Sequence, residues 1–301
     1  MYNFRLFKDG DIQEISRFLG DIENANMELS NSRKVVWDCF SKHPCFQMFQ
    51  PEKIGIWEKD SEIIGVVRLE SPWVGGVIID LNPYCFEAFN GMINYAEEIF
   101  SGTDDNGEKY LNIYLRDSDK LQITMAKKGY CKGEEGRMLA FSLNETITNM
   151  GIPTGFRLKS LEEIYDFDKL NSLLWRAFDY EGEPPSYNDD VYLPIKHAWL
   201  DYNRDICVVA EAPDLSYASF CGVWFDEYTK SAFIEPLVTA QRYRGMGLAK
   251  ACVYESMKKC KAIGAEIIYV EPDIDVVEWY KKIGFKQAYK SYCWSKQGTL
   301  L

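Results

Sequence analysis

Four places in the 301-residue sequence carry side chains able to do chemistry: "QRYRGMGLAKA" from Gln241, Tyr280 in "PDIDVVEWYKKIGF", and the carboxylates Glu235 and Glu271. In the first stretch Gly245 and Gly247 flank Met246 and lead into an amphipathic run. Glycine tolerates positive φ and lets a backbone approach a ligand closely. A helix start offers unpaired N–H groups and the positive end of the helix dipole. Together they make an anion site, and Arg242 and Arg244 add charge. A glycine-rich turn that merely starts a helix is the plain alternative. The dinucleotide pattern GxGxxG fails, because Lys250 stands at the third glycine, and no GK[ST] completes a P-loop.

These residues need a scaffold. "SAFIEPLVT" reads as a strand interrupted by Pro236, and alternation puts Glu235 and Leu237 on one face. After the turn, Ala249, Cys252, Val253, Ser256, Met257, Cys260 and Ile263 share one helical face, and Gly264 sits at the C′ position. "EIIYV" is a strand, "VVEWYKKI" a short helix ended by Gly284, and "FKQAYKSYCWS" a last strand. Upstream lie a strand "GFRLKS", one helix from Leu161 to Ala177, and a loop at Pro184–Pro185. A second helix is predicted over 191–200, followed by the strands "DICVVAEA" and "ASFCGVWFDE". The order β-α-α-β-β-β-α-β-α-β predicts a mixed α/β sheet flanked by helices.

The same landmarks occur twice. Phe4, Gly65 and Gly129 recur in order as Phe156, Gly222 and Gly284, at offsets of 152, 157 and 155 residues. This predicts a duplicated fold, with domains over 1–146 and 152–301 joined in the polar segment 144–155. In the first half no glycine pair lies between Asn82 and Phe89. Glu87 stands near the place of Gly245, where it would repel a phosphate, and Met125 holds the place of Tyr280.

Composition narrows the partners. With 34 basic and 46 acidic residues the net charge is −12, which argues against nucleic acid and anionic membranes. The N-terminus lacks a signal-peptide core and no long apolar run occurs, so a cytoplasmic protein is expected. Nine cysteines without a CxxC pair fit reduced core thiols. Two histidines exclude a His-rich metal site, and no metal is expected.

"TAQRYRGMGLAKA" resembles motif A of the GNAT N-acetyltransferase superfamily, [QR]-x-x-G-x-[GA], with Arg242, Gly245 and Gly247 at the defined positions. "PDIDVVEWYKKIGF" is similar to the family's next motif, with Tyr280 and Gly284-Phe285 in place and Asp273 where asparagine is commoner. The resemblance implies two tandem GNAT-like domains, the first degenerate, and acetyl-CoA as cosubstrate. Its pyrophosphate would sit on Arg242, Arg244, Gly245, Met246, Gly247, Leu248 and Ala249, with Asp273 nearby. Its pantetheine would pair with Leu237, Val238 and Thr239, where a backbone N–H polarises the thioester carbonyl. Tyr280 would protonate the leaving sulfur. The acceptor would be a primary amine of a small molecule, attacking directly. Glu235, through water, is the first candidate base and Glu271 the second. The acidic, aromatic loop from Trp175 through Tyr187 would shape the acceptor site. A monomer or a homodimer suits the duplication. The competing reading is a non-enzymatic CoA sensor or interaction scaffold, which has no use for Tyr280.

Overall fold

In the computed structural model, residues 2–25, 31–184 and 203–298 are described; the helix expected over 191–200 and Tyr187 lie outside them. Along the chain the described elements are β1 (Asn3–Leu6), α1 (Asp11–Asn24), α2 (Lys34–Lys42), β2 (Gly55–Lys59), β3 (Glu62–Leu69), β4 (Gly76–Leu81), α3 (Phe89–Phe100), β5 (Gly102–Thr103), β6 (Lys109–Arg116), α4 (Asp119–Lys127) and β7 (Cys131–Ser142). There follow β8 (Arg157–Ser160), α5 (Leu161–Ile164), α6 (Phe167–Ala177), β9 (Val208–Glu211), β10 (Tyr217–Asp226), β11 (Ser231–Thr239), α7 (Leu248–Ala262), β12 (Ile267–Val270), α8 (Val277–Lys282) and β13 (Lys286–Gln297). They form two compact units. Unit 1 comprises Met1–Leu139, Glu271–Val277 and Gln287–Leu301, and unit 2 comprises Ala140–Val270 and Glu278–Lys286.

In unit 1, strands β1-β2-β3-β4-β6-β13 lie side by side in that order. Apolar residues on α1 recur at helical spacing, and Ile15, Phe18, Leu19 and Ile22 are buried. On β6 the period is two, with Leu111, Ile113 and Leu115 inward. One core is completed by α3, through Phe89, Met92, Ile93, Ala96 and Phe100, and a second by α1 and Trp37 of α2 packed on Ile56 and Val66.

The strand nearest the chain's end is integral to this unit. β13 pairs antiparallel with β6 from Ser291↔Arg116 to Gln297↔Tyr110, and Trp294 enters the unit 1 core. Ser295 Oγ donates to Asn112 Oδ1 at 2.7 Å. Lys296 Nζ donates to Glu97 Oε1 at 2.9 Å, and Tyr130 Oη donates to the same oxygen at 2.9 Å. Glu97 is 1% exposed, so this ion pair joins α3 to β13 in the interior.

Unit 2 has the strand order β12-β11-β10-β9-β8, with β11 and β12 parallel and the remaining neighbours antiparallel. α6 packs Leu170 and Leu173 onto Val209, Phe220 and Val238. The single helix expected from Leu161 to Ala177 is two. Ser160 and Glu163 form a capping box on α5, and the Asp166 carboxylate caps α6 by accepting from Lys169 N. Periodicity runs through both helices, but the caps break the backbone between them. On α7 the buried face includes Cys252, Val253, Ser256, Met257 and Cys260 as expected, whereas Ile263, beyond the last helical residue, is exposed. Gly264 and Gly284 have φ of +93° and +104°, the left-handed C′ conformation. All nine cysteines are free thiols, and among the described residues no helix is long and apolar enough to cross a membrane.

Candidate active site

The site in unit 2 begins where β11 outruns its neighbour. β12 pairs with β11 only at Ser231, Ala232 and Phe233. Beyond that, β11 continues to Thr239 with β10 on its other side. Among the described residues, β12 therefore does not accompany β11 beyond Phe233, which opens a fork in the sheet. At the fork the β10–β11 register shifts. Cys221 pairs with Leu237 but Val223 with Ile234, so Glu235 and Pro236 together oppose Gly222. This is a β-bulge, which bends and twists the strand that carries it. Past the bulge Glu235 is exposed, Leu237 and Thr239 are half-buried, and Pro236 and Val238 are buried. The alternation expected for Glu235 and Leu237 thus holds on the fork side. A glycine in mid-strand is the signal by which a bulge partner at 222 was readable.

A short 3-10 turn, Gln241–Tyr243, leads to the glycine turn. Gly245 and Gly247 both have φ +79°, and Gly247 is the N-cap of α7. Only open space faces the position where Gly245 would carry a Cβ. The first-turn N–H groups of α7, from Leu248 and Ala249, lie at this opening, as an anion site requires. The arginines make hydrogen bonds within unit 2. Arg242 Nη2 donates to Asp214 Oδ2 at 3.1 Å and to Ser216 Oγ at 3.0 Å. Arg244 donates to Thr239 O at 3.3 Å and to Ala177 O at 3.2 Å. Both guanidinium groups thus brace the turn, Arg242 against the β9–β10 loop and Arg244 against the ends of β11 and α6. Met246 is exposed at the tip. Beside the turn, between α6 and the end of β11, lies a cavity of about 740 Å³ whose charged lining includes Asp168, Lys169, Arg176, Asp179, Glu181 and Arg242.

Tyr280 stands on α8, a helix closed by Gly284, where an added Cβ would lie 2.8 Å from Phe141. Its ring packs edge-on against Phe285 at 5.4 Å and against Trp279 at 4.9 Å, and the residue is 5% exposed. Burial pushes its pKa well above that of free tyrosine, and Cys221 and Glu235 add to the rise. The phenol therefore stays protonated throughout the physiological range. Tyr280 and Glu235, both in unit 2, are thus within electrostatic reach of each other. Glu271 and Asp273 follow β12 in the segment grouped with unit 1. The Glu271 side chain keeps open surface, yet protein atoms crowd its carboxyl. That crowding, with Glu70 nearby, pushes its pKa up. Asp273 is exposed, and its carbonyl accepts from Val276 N at 3.0 Å.

The corresponding fork in unit 1 is filled. β6 pairs with β4 from Gly76 to Ile78 only. Into the gap comes Asn31, whose amide donates to Tyr114 O on β6 and whose backbone N–H donates to Asp80 on β4 at 3.1 Å. Ser32 donates to the same carboxylate through N (3.0 Å) and Oγ (2.5 Å), and Arg68 Nη2 donates to Ser32 Oγ at 2.7 Å. In place of a glycine turn, a 3-10 helix runs over Pro83–Ala88, capped by Asn82 Oδ1, which accepts from Tyr84 N. Met125 is fully buried in the core.

The chain was compared with known proteins. The sequence model of the acetyltransferase (GNAT) family matches residues 167–285. No curated protein matches the sequence. Among solved structures, a GCN5-related N-acetyltransferase from Sphaerobacter thermophilus superposes with a TM-score of 0.66 at 13% identity, over 100% of this chain and 98% of that one. A tandem GNAT protein from the clavulanic acid biosynthesis pathway gives a TM-score of 0.67 at 11% identity, over 99% and 98%. A GNAT-family acetyltransferase from Colwellia psychrerythraea gives 0.60 at 13% identity, over 99% and 100%. At such identities the superpositions speak for the fold, and the matched sequence speaks for the family. Residues 167–285 thus match the acetyltransferase (GNAT) family in sequence, and the whole chain shares its fold with GNAT structures, a tandem one among them.

Proposed function

We propose that unit 2 transfers an acetyl group from acetyl-CoA to a primary amine of a small molecule, and that unit 1 binds no cofactor. The observation that carries this reading is a strand fork that ends in a glycine turn, with the buried Tyr280 within electrostatic reach of Glu235 on the bulged strand. Acetyl-CoA supplies the activated acyl group. The N–H groups of the Gly245–Ala249 segment hold its pyrophosphate, and the edge at Leu237, Val238 and Thr239 pairs with its pantetheine. An edge N–H also polarises the thioester carbonyl. Tyr280 delivers its proton to the departing sulfur, and Glu235 accepts the proton of the amine through water. The filled fork and capped 3-10 helix of unit 1 support a single cofactor site per chain. The free thiols suit a reducing cytoplasm. Mass spectrometry of an amine panel incubated with acetyl-CoA tests the reading directly: acetylated product is expected, and none from any amine overturns it.

Gly247→Leu should abolish acetyl-CoA binding. The substitution forces a branched side chain into positive φ and places its Cβ 2.8 Å from Met150 Cε. Calorimetry should show one site per wild-type chain and none in the variant. Two sites in the wild type would remove the single-cofactor reading.

Glu235→Gln keeps shape and removes basicity. The acid limb of the pH–rate profile should flatten and neutral activity should fall. Activity should partly recover at high pH, where the amine is already free. A wild-type profile in the variant would eliminate Glu235 and make Glu271 the next residue to replace.

A further inference from the structure

The bulge that opens the unit 2 fork depends on one missing side chain. A Cβ built on Gly222 would lie 2.4 Å from the Glu235 carbonyl oxygen, 3.0 Å from its carbon and 3.0 Å from Pro236 Cδ. Two of these contacts are with backbone, so no rotamer relieves them. Reaching ordinary contact would require Glu235 to retreat by roughly 1 Å. Gly222 is buried, and its φ lies outside the left-handed region, so the backbone conformation itself does not call for glycine. What calls for glycine is the close approach of β11.

Unit 1 provides the comparison. Its glycine at the matching place is Gly65 on β3. There the β3–β4 ladder runs from Gly65↔Leu81 to Leu69↔Val77 without a register shift. A Cβ on Gly65 would meet the flexible end of Met92 at 2.7 Å and the Asp80 carbonyl only at 3.4 Å. So the two units share the glycine, but only unit 2 uses it to seat a two-residue bulge. That unit also has the open fork.

We infer that Gly222 is a positioning residue for acyl transfer: the space left by its absent side chain seats the Glu235–Pro236 bulge and so sets where the Glu235 carboxylate stands in the fork. The inference rests on the reading of unit 2 as the transferase. Gly222 itself touches neither substrate. It acts through the peptide of Glu235, on the strand that carries the candidate base. The glycine turn lies a full strand-end away, so cofactor affinity and catalytic rate should separate.

Two variants test this. Gly222→Ala should lower kcat by about 10²-fold, the scale of a 1 Å misplacement, with the Kd for CoA changed less than about twofold. Deleting Pro236 leaves one residue opposite Gly222 and restores a regular ladder like that of unit 1. The deleted chain should remain folded and bind CoA, and should lose acetyl transfer. Gly65→Ala should leave both quantities at wild-type values. Hydrogen exchange reads the same question without turnover. Gly222→Ala should speed exchange at Val223 and Leu237, which flank the bulge, and leave Ala251 in α7 unchanged. Should the wild type acetylate no amine, the proposed function falls while the exchange arm still decides on Gly222. The inference is overturned if Gly222→Ala and the deletion keep wild-type kcat, if CoA affinity falls in step with kcat, or if exchange beside the bulge is unchanged.

Discussion

Tyr280→Phe should lower kcat by about 10²–10⁴-fold, the range over which a positioned general acid contributes, while CoA affinity stays within about twofold. The variant removes one oxygen and keeps the ring packed on Phe285 and Trp279. Its effect is therefore chemical rather than structural. Because burial, Cys221 and Glu235 all raise the Tyr280 pKa, the phenol remains a donor to alkaline pH. The wild-type rate should accordingly show no alkaline limb from this group below about pH 10, the pKa of an unperturbed tyrosine. Steady-state kinetics with a pre-steady-state check that chemistry limits turnover decides the matter. An unchanged kcat under those conditions returns Tyr280 to a packing role.

Ending the chain after Phe285 should unfold unit 1. The truncation strips the β6 edge of its ladder from Arg116 to Tyr110 and takes Trp294 out of the core. It also leaves the Glu97 carboxylate buried without Lys296, which is the costly way to break an interior ion pair. Hydrogen exchange and limited proteolysis should report loss of protection in α3 and β6. A milder version isolates the ion pair. Lys296→Ala should cost about 3 kcal/mol in urea unfolding, and adding Glu97→Gln should restore part of it. A truncated chain with native protection at Leu111, Ile113 and Leu115 would show β13 to be dispensable.

The parts of this fold legible in the sequence are those fixed by neighbours along the chain. The turn at Gly245 and Gly247, the C′ glycines 264 and 284, and the amphipathic face of α7 each follow from local spacing, and each is present. Tyr280 was locatable because its distance to Gly284 is a helical one. What could not be read depends on partners far away in sequence. The hydrogen bonds of Arg242 and Arg244 to Asp214, Ser216, Thr239 and Ala177 are pairings that spacing does not encode. The pairing of β13 with β6 joins residues some 180 positions apart, and period-two alternation says nothing of a strand's neighbour. Asn31 and Ser32 carried no motif at all. Their role emerges only from Asp80 and Tyr114 lying within reach. The break between α5 and α6 was visible in principle, since Ser160, Glu163 and Asp166 are good capping residues, but the apolar period masked it.

The filled fork of unit 1 also bears on how such a tandem chain can change over generations. Restoring two glycines after β4 would recreate a turn but not a binding cleft, because Asn31 and Ser32 would still bridge Asp80 and Tyr114. Removing Asp80 or Ser32 in turn would strip partners from Arg68, which is buried and finds its charge balance in that cluster. Each single reversion is therefore destabilising before it is useful. The polar bridge thus acts as a ratchet: with it in place, a step toward a glycine turn in unit 1 costs stability before it opens a cleft.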